Sequence, residues 1–389
     1  MNDVVTYDLC KNVLRNIKKC LPSNISQYSV HEPNLSTKVK KELNKCLSST
    51  HVSSSGKYID KLSESLKNII GSKYNLLTNS GTSALFCGFN EIDIRNQEVI
   101  VPSMTFVATP NSVIHAGGMP VFVDCSKSSL NIDKDDLEKY LIVNYKISNG
   151  KCKNKKTGRV LKCIVVVHAY GEAANINLIC KLAQKYNLEV IEDAAGALGS
   201  IRSNKHVGTV SRMGIISFNG NKIITTGMGG ALIFKYKKDY ESVKHKISTA
   251  RIQHNWKVEH DMVGYNLRMA NINAALGYGQ IMDFEKILNK KRKLYQRYCD
   301  VFSNNQYCYI KKSDNSSNNN WVTNLFLKDE YLNNHQSLIN YLQNHKIFVR
   351  ELWKPMHLLP MFEKCRHSRI INAVKSWQTG ISLPSSYYK

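Results

Sequence analysis

Five short runs constrain this chain more than anything else in it. They are VIVPSMTFVA (Val99–Ala108), PVFVD (Pro120–Asp124), KCIVVVH (Lys162–His168), LEVIEDAA (Leu188–Ala195) and MGIISF (Met213–Phe218). All are short and largely apolar, with Val and Ile prominent, and a strand that is apolar on both sides must be covered on both faces. Helical patterns lie between them. In Asn175–Tyr186, the side chains of Ile176, Ile179, Leu182, Ala183 and Tyr186 share one face, as a 3.6-residue period requires. A similar stripe of Ile59, Leu62, Leu66, Ile69 and Ile70 predicts a helix over 59–70. The alternation predicts an α/β fold with a mostly parallel sheet, in which ligands bind beyond the carboxyl ends of the strands.

The remaining segments divide the chain. Residues 1–34 read as a short N-terminal helix and connector, 35–288 as a large domain, and 289–389 as a smaller C-terminal α/β domain. Ser148–Val160 reads as a polar surface hairpin. After Asn289 come a basic helix, the tract SDNSSNNN (Ser313–Asn320) and a short α/β segment. No stretch approaches the roughly 18 apolar residues of a membrane helix. The N-terminus has an acid near its start and no apolar block before a small-residue cleavage site, so no secretory signal and no membrane partner are expected. Eleven cysteines occur without a single C-x-x-C pair, a pattern that fits neither a disulfide framework nor a zinc site. A reducing, cytoplasmic setting and no metal are the expectation.

The formal net charge is +24. Such a balance invites a nucleic-acid reading, but the lysines are spread along the chain. The local knots at Lys151–Lys156 and Lys290–Lys293 carry no interleaved aromatics. A solvated lysine-rich surface is the favoured reading, nucleic acid the disfavoured one. Small anionic substrates suit such a surface.

Three motifs carry chemistry. In TNSGTSALFCGF (Thr78–Phe89), a Ser-Gly-Thr-Ser turn opens a helix, and free amides at a helix N-terminus suit a phosphate. Gly81 allows close approach, while Thr82 and Ser83 add hydroxyls; ordinary capping is the competing reading. In LEVIEDAAGALGS, Asp193 ends an apolar strand at the binding edge, where it could ligate, cap or hold a proton on a ligand nitrogen. In SFNGNKIITTGMGGALIF (Ser217–Phe234), one strand delivers Ser217 and a loop delivers Lys222, before a Gly-rich turn leads into another strand. Partial desolvation would make Lys222 a carbonyl nucleophile. A phosphate cradle, a strand-end Asp and a loop Lys are the parts needed to hold pyridoxal 5'-phosphate, with Phe106 placed to cover the ring.

GTSAL, VPSMTFVAT, PVFVD, HAYG, VIEDAAGALGS, SFNGNKIITTGMGG and VGYNLRMANINAALG occur in the order of the DegT/DnrJ/EryC1/StrS sugar-nucleotide aminotransferases, and from about His31 onward the chain resembles that family. HEP (His31–Pro33), VSSSGKY (Val52–Tyr58), KNKKTGR (Lys153–Arg159), ELWKPMHLLPMF (Glu351–Phe362) and ISLPSS (Ile381–Ser386) are most similar to its LegC-like subgroup. The resemblance implies the aspartate-aminotransferase fold, type I of the pyridoxal-phosphate enzymes. It also implies transfer of an amino group from L-glutamate to C4 of a nucleotide-linked 4-keto-6-deoxy-N-acetylhexosamine. By position, Lys222 becomes the Schiff-base lysine and proton shuttle, and Asp193 the partner of the pyridinium nitrogen. Phe106 packs on the ring, and Gly81, Thr82, Ser83 and Ser217 bind the phosphate. Asn266 resembles the residue that reaches the neighbouring subunit's cofactor, which implies a homodimer with shared sites. Tyr58, Trp353 and His357 are candidates for lining the sugar-nucleotide site. Two positions depart from the pattern. Gly196 stands where His, Gln or Glu is usual, which would leave space for water or a differently posed substrate and weaken activity. Met228 stands where Gly is usual, and the two departures leave open a pyridoxal-phosphate-binding regulator without turnover, beside the alternatives of a C3-specific or a GDP-sugar aminotransferase of the same family.

Overall fold

The computed structural model describes residues 2–312 and 317–388. The first half of the Asn/Ser tract, 313–316, lies outside the described residues.

Seven strands form one sheet: β1 (Tyr74–Thr78), β2 (Glu98–Pro102), β3 (Met119–Val123), β4 (Leu161–Val167), β5 (Glu189–Asp193), β6 (Met213–Ser217) and β7 (Gly230–Phe234). Their order is β1-β7-β6-β5-β4-β2-β3. Only β7 runs against its neighbours, pairing antiparallel with β1 and β6; the other pairings are parallel. The both-sided burial follows from the period of two along each strand. Val99, Val101, Val165 and Ile191 pack into one apolar layer with Ala84, Leu85 and Phe89. Ile100, Val121, Ile164, Val166 and Val190 pack into the opposite layer with Ile176, Ile179 and Leu182. Each fully buried aliphatic side chain contributes about 1.5–3 kcal/mol relative to exposure.

The run Val99–Ala108 is a strand for only half its length. Pro102 ends β2, and Thr105 and Thr109 bring their hydroxyls within 2.9 Å as a helix forms over Ala108–His115. Leaving the sheet there frees Ser103–Phe106 to line its carboxyl edge. The helix seen in the Ile59–Ile70 stripe spans Lys57–Ile70. The polar hairpin pairs Tyr145–Ser148 with Lys151–Asn154.

A second sheet of four short strands forms from Cys308–Ile310, Asn324–Leu327, Arg350–Glu351 and Gly380–Ser382. The first helix is long, Asn2–Cys20, and buries Leu9, Val13 and Ile17 against Leu294, Tyr298, Leu338 and Leu342 of the C-terminal segment. Asp124, just past β3, ties that segment to the large sheet. Its two oxygens accept the amides of Ile371, Asn372 and Ala373, each at 2.8 Å, satisfying the open N-terminus of the helix Asn372–Thr379. No helix among the described residues is long and apolar enough to cross a membrane.

Candidate active site

Asp193 ends β5 and Ser217 ends β6, and the two strands are hydrogen-bonded neighbours. Alternation sends consecutive side chains to opposite faces. Glu192 therefore turns away, to His168 at 3.1 Å and to the amides of Gly208, Val210 and Ser211. Burial pushes its carboxyl up, but these hydrogen bonds outweigh that and hold it below its ordinary value. Asp193 faces the other side. Its Oδ2 accepts from Thr109 Oγ1 at 2.6 Å and its Oδ1 from the Ala195 amide at 3.1 Å. Both oxygens are thus oriented, and each keeps a lone pair for a ligand.

The helix Gly81–Glu91 follows β1 directly. Its cap is Ser80, whose Oγ accepts the Ser83 amide at 3.0 Å and lies 2.9 Å from the Ser83 hydroxyl. Ser83 is thereby engaged in the cap, while Gly81 and Thr82 sit at the N-terminus, where amides lack intrahelical partners. A Cβ at Gly81 would stand 2.9 Å from Cβ and 3.1 Å from Oγ of Ser217. Glycine is what lets the turn and that hydroxyl come together.

Lys222 rides on a closed loop. The Thr226 amide donates to Phe218 O at 2.9 Å, the Phe218 amide to Gly229 O at 2.9 Å, and the Lys222 amide to Asn219 O at 3.0 Å. Gly227 takes the left-handed turn at φ +80°, and a Cβ at Gly229 would meet Thr226 Oγ1 at 2.1 Å. Met228 bears neither constraint and is 64% exposed, which is why a side chain fits there. Burial pulls the Lys222 amine down to about 8, against an opposing pull from Asp193. Its Nζ lies 3.8 Å from the ring centroid of Trp321.

The other residues predicted from sequence fall into two groups. Phe106, 55% exposed, leads an aromatic row: its ring is 6.2 Å from Trp353, which stacks on Tyr170 at 4.0 Å and 18°. His357 Nδ1 lies 2.8 Å from Ser103 Oγ, at the end of β2. Burial, then His367, keeps its imidazole below the ordinary value. These residues gather at the carboxyl edge. Tyr58 does not: it is fully buried between helices, its hydroxyl donating to Glu42 at 3.0 Å and its ring against Tyr278. Asn266 is exposed on a bridge with Ser248. The adjacent Leu267 O accepts the Asn79 amide at 2.9 Å, so this backbone borders the phosphate turn, yet no hydrogen bond joins the Asn266 side chain to it.

The expectation for Gly196 needs correction. The room left by the missing side chain is taken by the Trp321 ring: a Cβ at Gly196 would lie 2.5 Å from Trp321 Cε3. Trp321, Tyr170 and Thr109 were not singled out as site residues in the sequence. Trp321 hides behind an Asn-rich tract, and Tyr170 stands in the quoted HAYG.

These residues fit pyridoxal phosphate. A helix N-terminus closed to within a Cβ of Ser217 suits its phosphate, Asp193 its ring nitrogen, Phe106 a ring face and Lys222 its aldehyde. When bound, the cofactor supplies an electrophilic carbon and a ring that takes up negative charge as a proton moves. Lys222 contributes an amine with a sizeable neutral fraction near neutrality, able both to attack and to carry a proton. Protonation blocks attack, so cofactor-free protein is expected to capture pyridoxal phosphate faster as pH rises through about 8. Stopped-flow absorbance checks this; a midpoint near the ordinary lysine value of about 10.4 would mean the amine is not desolvated.

Known proteins of the same shape define the class: the chain has the fold of the type I pyridoxal-phosphate-dependent transferases. The Helicobacter pylori aminotransferase PseC, involved in pseudaminic acid biosynthesis, superposes with a TM-score of 0.84 at 25% identity, over 92% of this chain and 93% of that one. GDP-perosamine synthase of Vibrio cholerae is 31% identical over 92% of this chain and 93% of its own length. The UDP-4-amino-4,6-dideoxy-N-acetyl-beta-L-altrosamine transaminase of Campylobacter jejuni is 30% identical over 85% of each. Residues 33–387 match the DegT/DnrJ/EryC1/StrS aminotransferase family, and the chain belongs to it. It is a sugar-nucleotide aminotransferase that uses pyridoxal phosphate.

Proposed function

We propose that this enzyme moves an amino group from L-glutamate to C4 of UDP-4-keto-6-deoxy-N-acetylglucosamine, giving a 4-amino-4,6-dideoxy sugar nucleotide for surface glycan synthesis in the cytoplasm. The observation that carries the reading is Lys222: a desolvated amine within electrostatic reach of Asp193, beside an aromatic wall, at the carboxyl edge of the sheet. Lys222 attacks and shuttles the proton, Asp193 holds a ring proton, and Gly81, Thr82 and Ser217 take the phosphate. Trp353 and His357 line the outer part of the site, where a sugar nucleotide approaches.

A homodimer completes the site in this reading. Asn266 is exposed, and the neighbouring loop presents Trp256 at 77% and Val263 at 88% exposure, apolar surface of the kind a second copy covers. A GDP-linked acceptor is the second reading, favoured by the likeness to GDP-perosamine synthase. A regulator without turnover was suggested by Gly196 and Met228, and both positions now have a steric account. Assaying the purified enzyme with L-glutamate against UDP- and GDP-linked 4-keto-6-deoxy sugars decides the acceptor. A kcat/KM higher by about tenfold or more for the UDP sugar, a difference of about 1.4 kcal/mol, is expected; the reverse preference overturns the UDP assignment.

A further inference from the structure

The segment that carries Trp321 is docked onto the turn after Asp193. Ile201 and Ser317 exchange backbone hydrogen bonds of 2.7 and 3.0 Å. Asn319 is fully buried; its Nδ2 donates to Gly196 O and Leu198 O, both at 2.9 Å, while its Oδ1 accepts the Trp321 amide at 2.9 Å. Its own amide donates to Ser200 Oγ at 3.0 Å. One asparagine thus fixes the Trp321 backbone against Gly196, and the ring enters the space a Cβ would need, 2.5 Å from Cε3 and 2.8 Å from Cζ3.

The same ring reaches the Lys222 loop twice. Its Nε1–H donates to Asn221 O at 2.6 Å, one residue before the lysine, and its face receives Lys222 Nζ at 3.8 Å. We propose that Trp321 is a positioning residue for Lys222, carried by the C-terminal segment into the room that Gly196 leaves open. The indole N–H anchors the loop, and the π face holds the Lys222 ammonium in place, before it gives up its proton, when it is not bonded to cofactor or substrate. A lysine side chain has four rotatable bonds, and an amine confined to one face spends more of its time within reach of a carbonyl carbon. Glycine at 196 and tryptophan at 321 are therefore a complementary pair: a side chain at the first excludes the ring of the second.

The inference rests on Lys222 being the reacting amine. Three measurements test it: the rate at which cofactor-free protein captures pyridoxal phosphate, read as the growth of a visible band, steady-state kinetics with the amino donor, and melting temperature. Trp321→Leu is expected to slow capture about tenfold and to lower kcat by a similar factor, with KM for the amino donor within about twofold. Trp321→Phe, which keeps an aromatic face, is expected to stay within about threefold. Gly196→Ala is expected to lower Tm by on the order of 5 °C when Trp321 is present and by much less beside Trp321→Leu, since the collision is then gone. A purely structural tryptophan would move Tm and leave capture unchanged. Wild-type capture by Trp321→Leu overturns the role of the ring, and a tenfold loss in Trp321→Phe overturns the role of its π face. An equal cost of Gly196→Ala in both backgrounds overturns the pairing. If Lys222→Ala keeps the visible band, the reading of Lys222 fails and this inference with it; if Lys222→Ala loses the band and Trp321→Leu is normal, only this inference fails.

Discussion

Replacing Lys222 with alanine is expected to remove turnover by on the order of 10⁴-fold or more, because one side chain supplies both the nucleophile and the proton carrier. The visible band formed on adding pyridoxal phosphate should disappear as well. The cofactor should still bind weakly, since the helix N-terminus at Gly81 and the Ser217 hydroxyl remain. Lys222→Arg is the sharper companion. It restores length and charge, but a guanidinium stays protonated and cannot serve as nucleophile or base. Both variants should therefore be equally inactive, with Tm near that of the parent. Activity retained in either variant would remove Lys222 from the mechanism.

Asp193→Asn is expected to leave pyridoxal phosphate bound while lowering kcat by about 10²–10⁴-fold. The change is nearly isosteric: an amide oxygen in the place of Oδ1 can still accept the Ala195 amide, and an amide nitrogen in the place of Oδ2 can donate to the Thr109 hydroxyl. What is lost is the negative charge that favours a protonated ring nitrogen, and so the ring's capacity to stabilise charge as a proton moves at the adjoining carbon. Steady-state kinetics combined with cofactor titration separates the two effects. A near-normal kcat would mean that Asp193 does not face the ring nitrogen; loss of binding with normal kcat at saturation would make it a binding group only.

Much of this was legible in the sequence because its signal is local. Strands buried on both faces must be largely apolar, and β3, β4 and β6 read that way, while β5 keeps an apolar centre, Val190 and Ile191, ahead of the buried acids Glu192 and Asp193. β1, YNLLT, is short and carries the buried polar Asn75, so its run says little by itself. The reach of β2 was overstated because apolar content does not register Pro102 as a stop, whereas strand geometry does. Lys222, Asp193 and the Gly81 turn stand out because each is a chemical residue at a strand end or loop. What stayed hidden was long-range. No local pattern shows that Trp321, 125 positions after Gly196 by their residue numbers, fills its space. The period of the helix Lys57–Ile70 marks Tyr58 as one of several apolar-face residues, but only tertiary packing reveals that its hydroxyl is taken by Glu42. The side chains of Thr105 and Thr109 look like ordinary loop and helix-start residues until β5 brings Asp193 beside them.

The central claim is that Lys222 serves a working transaminase, and its most direct test is the absorbance spectrum of the purified protein with pyridoxal phosphate before and after L-glutamate. A visible band that depends on Lys222 and gives way to the pyridoxamine phosphate spectrum when glutamate is added is the expected result. A Lys222-dependent band that glutamate leaves untouched would contradict the amino-donor assignment, and the absence of any such band would contradict the assignment of the site itself.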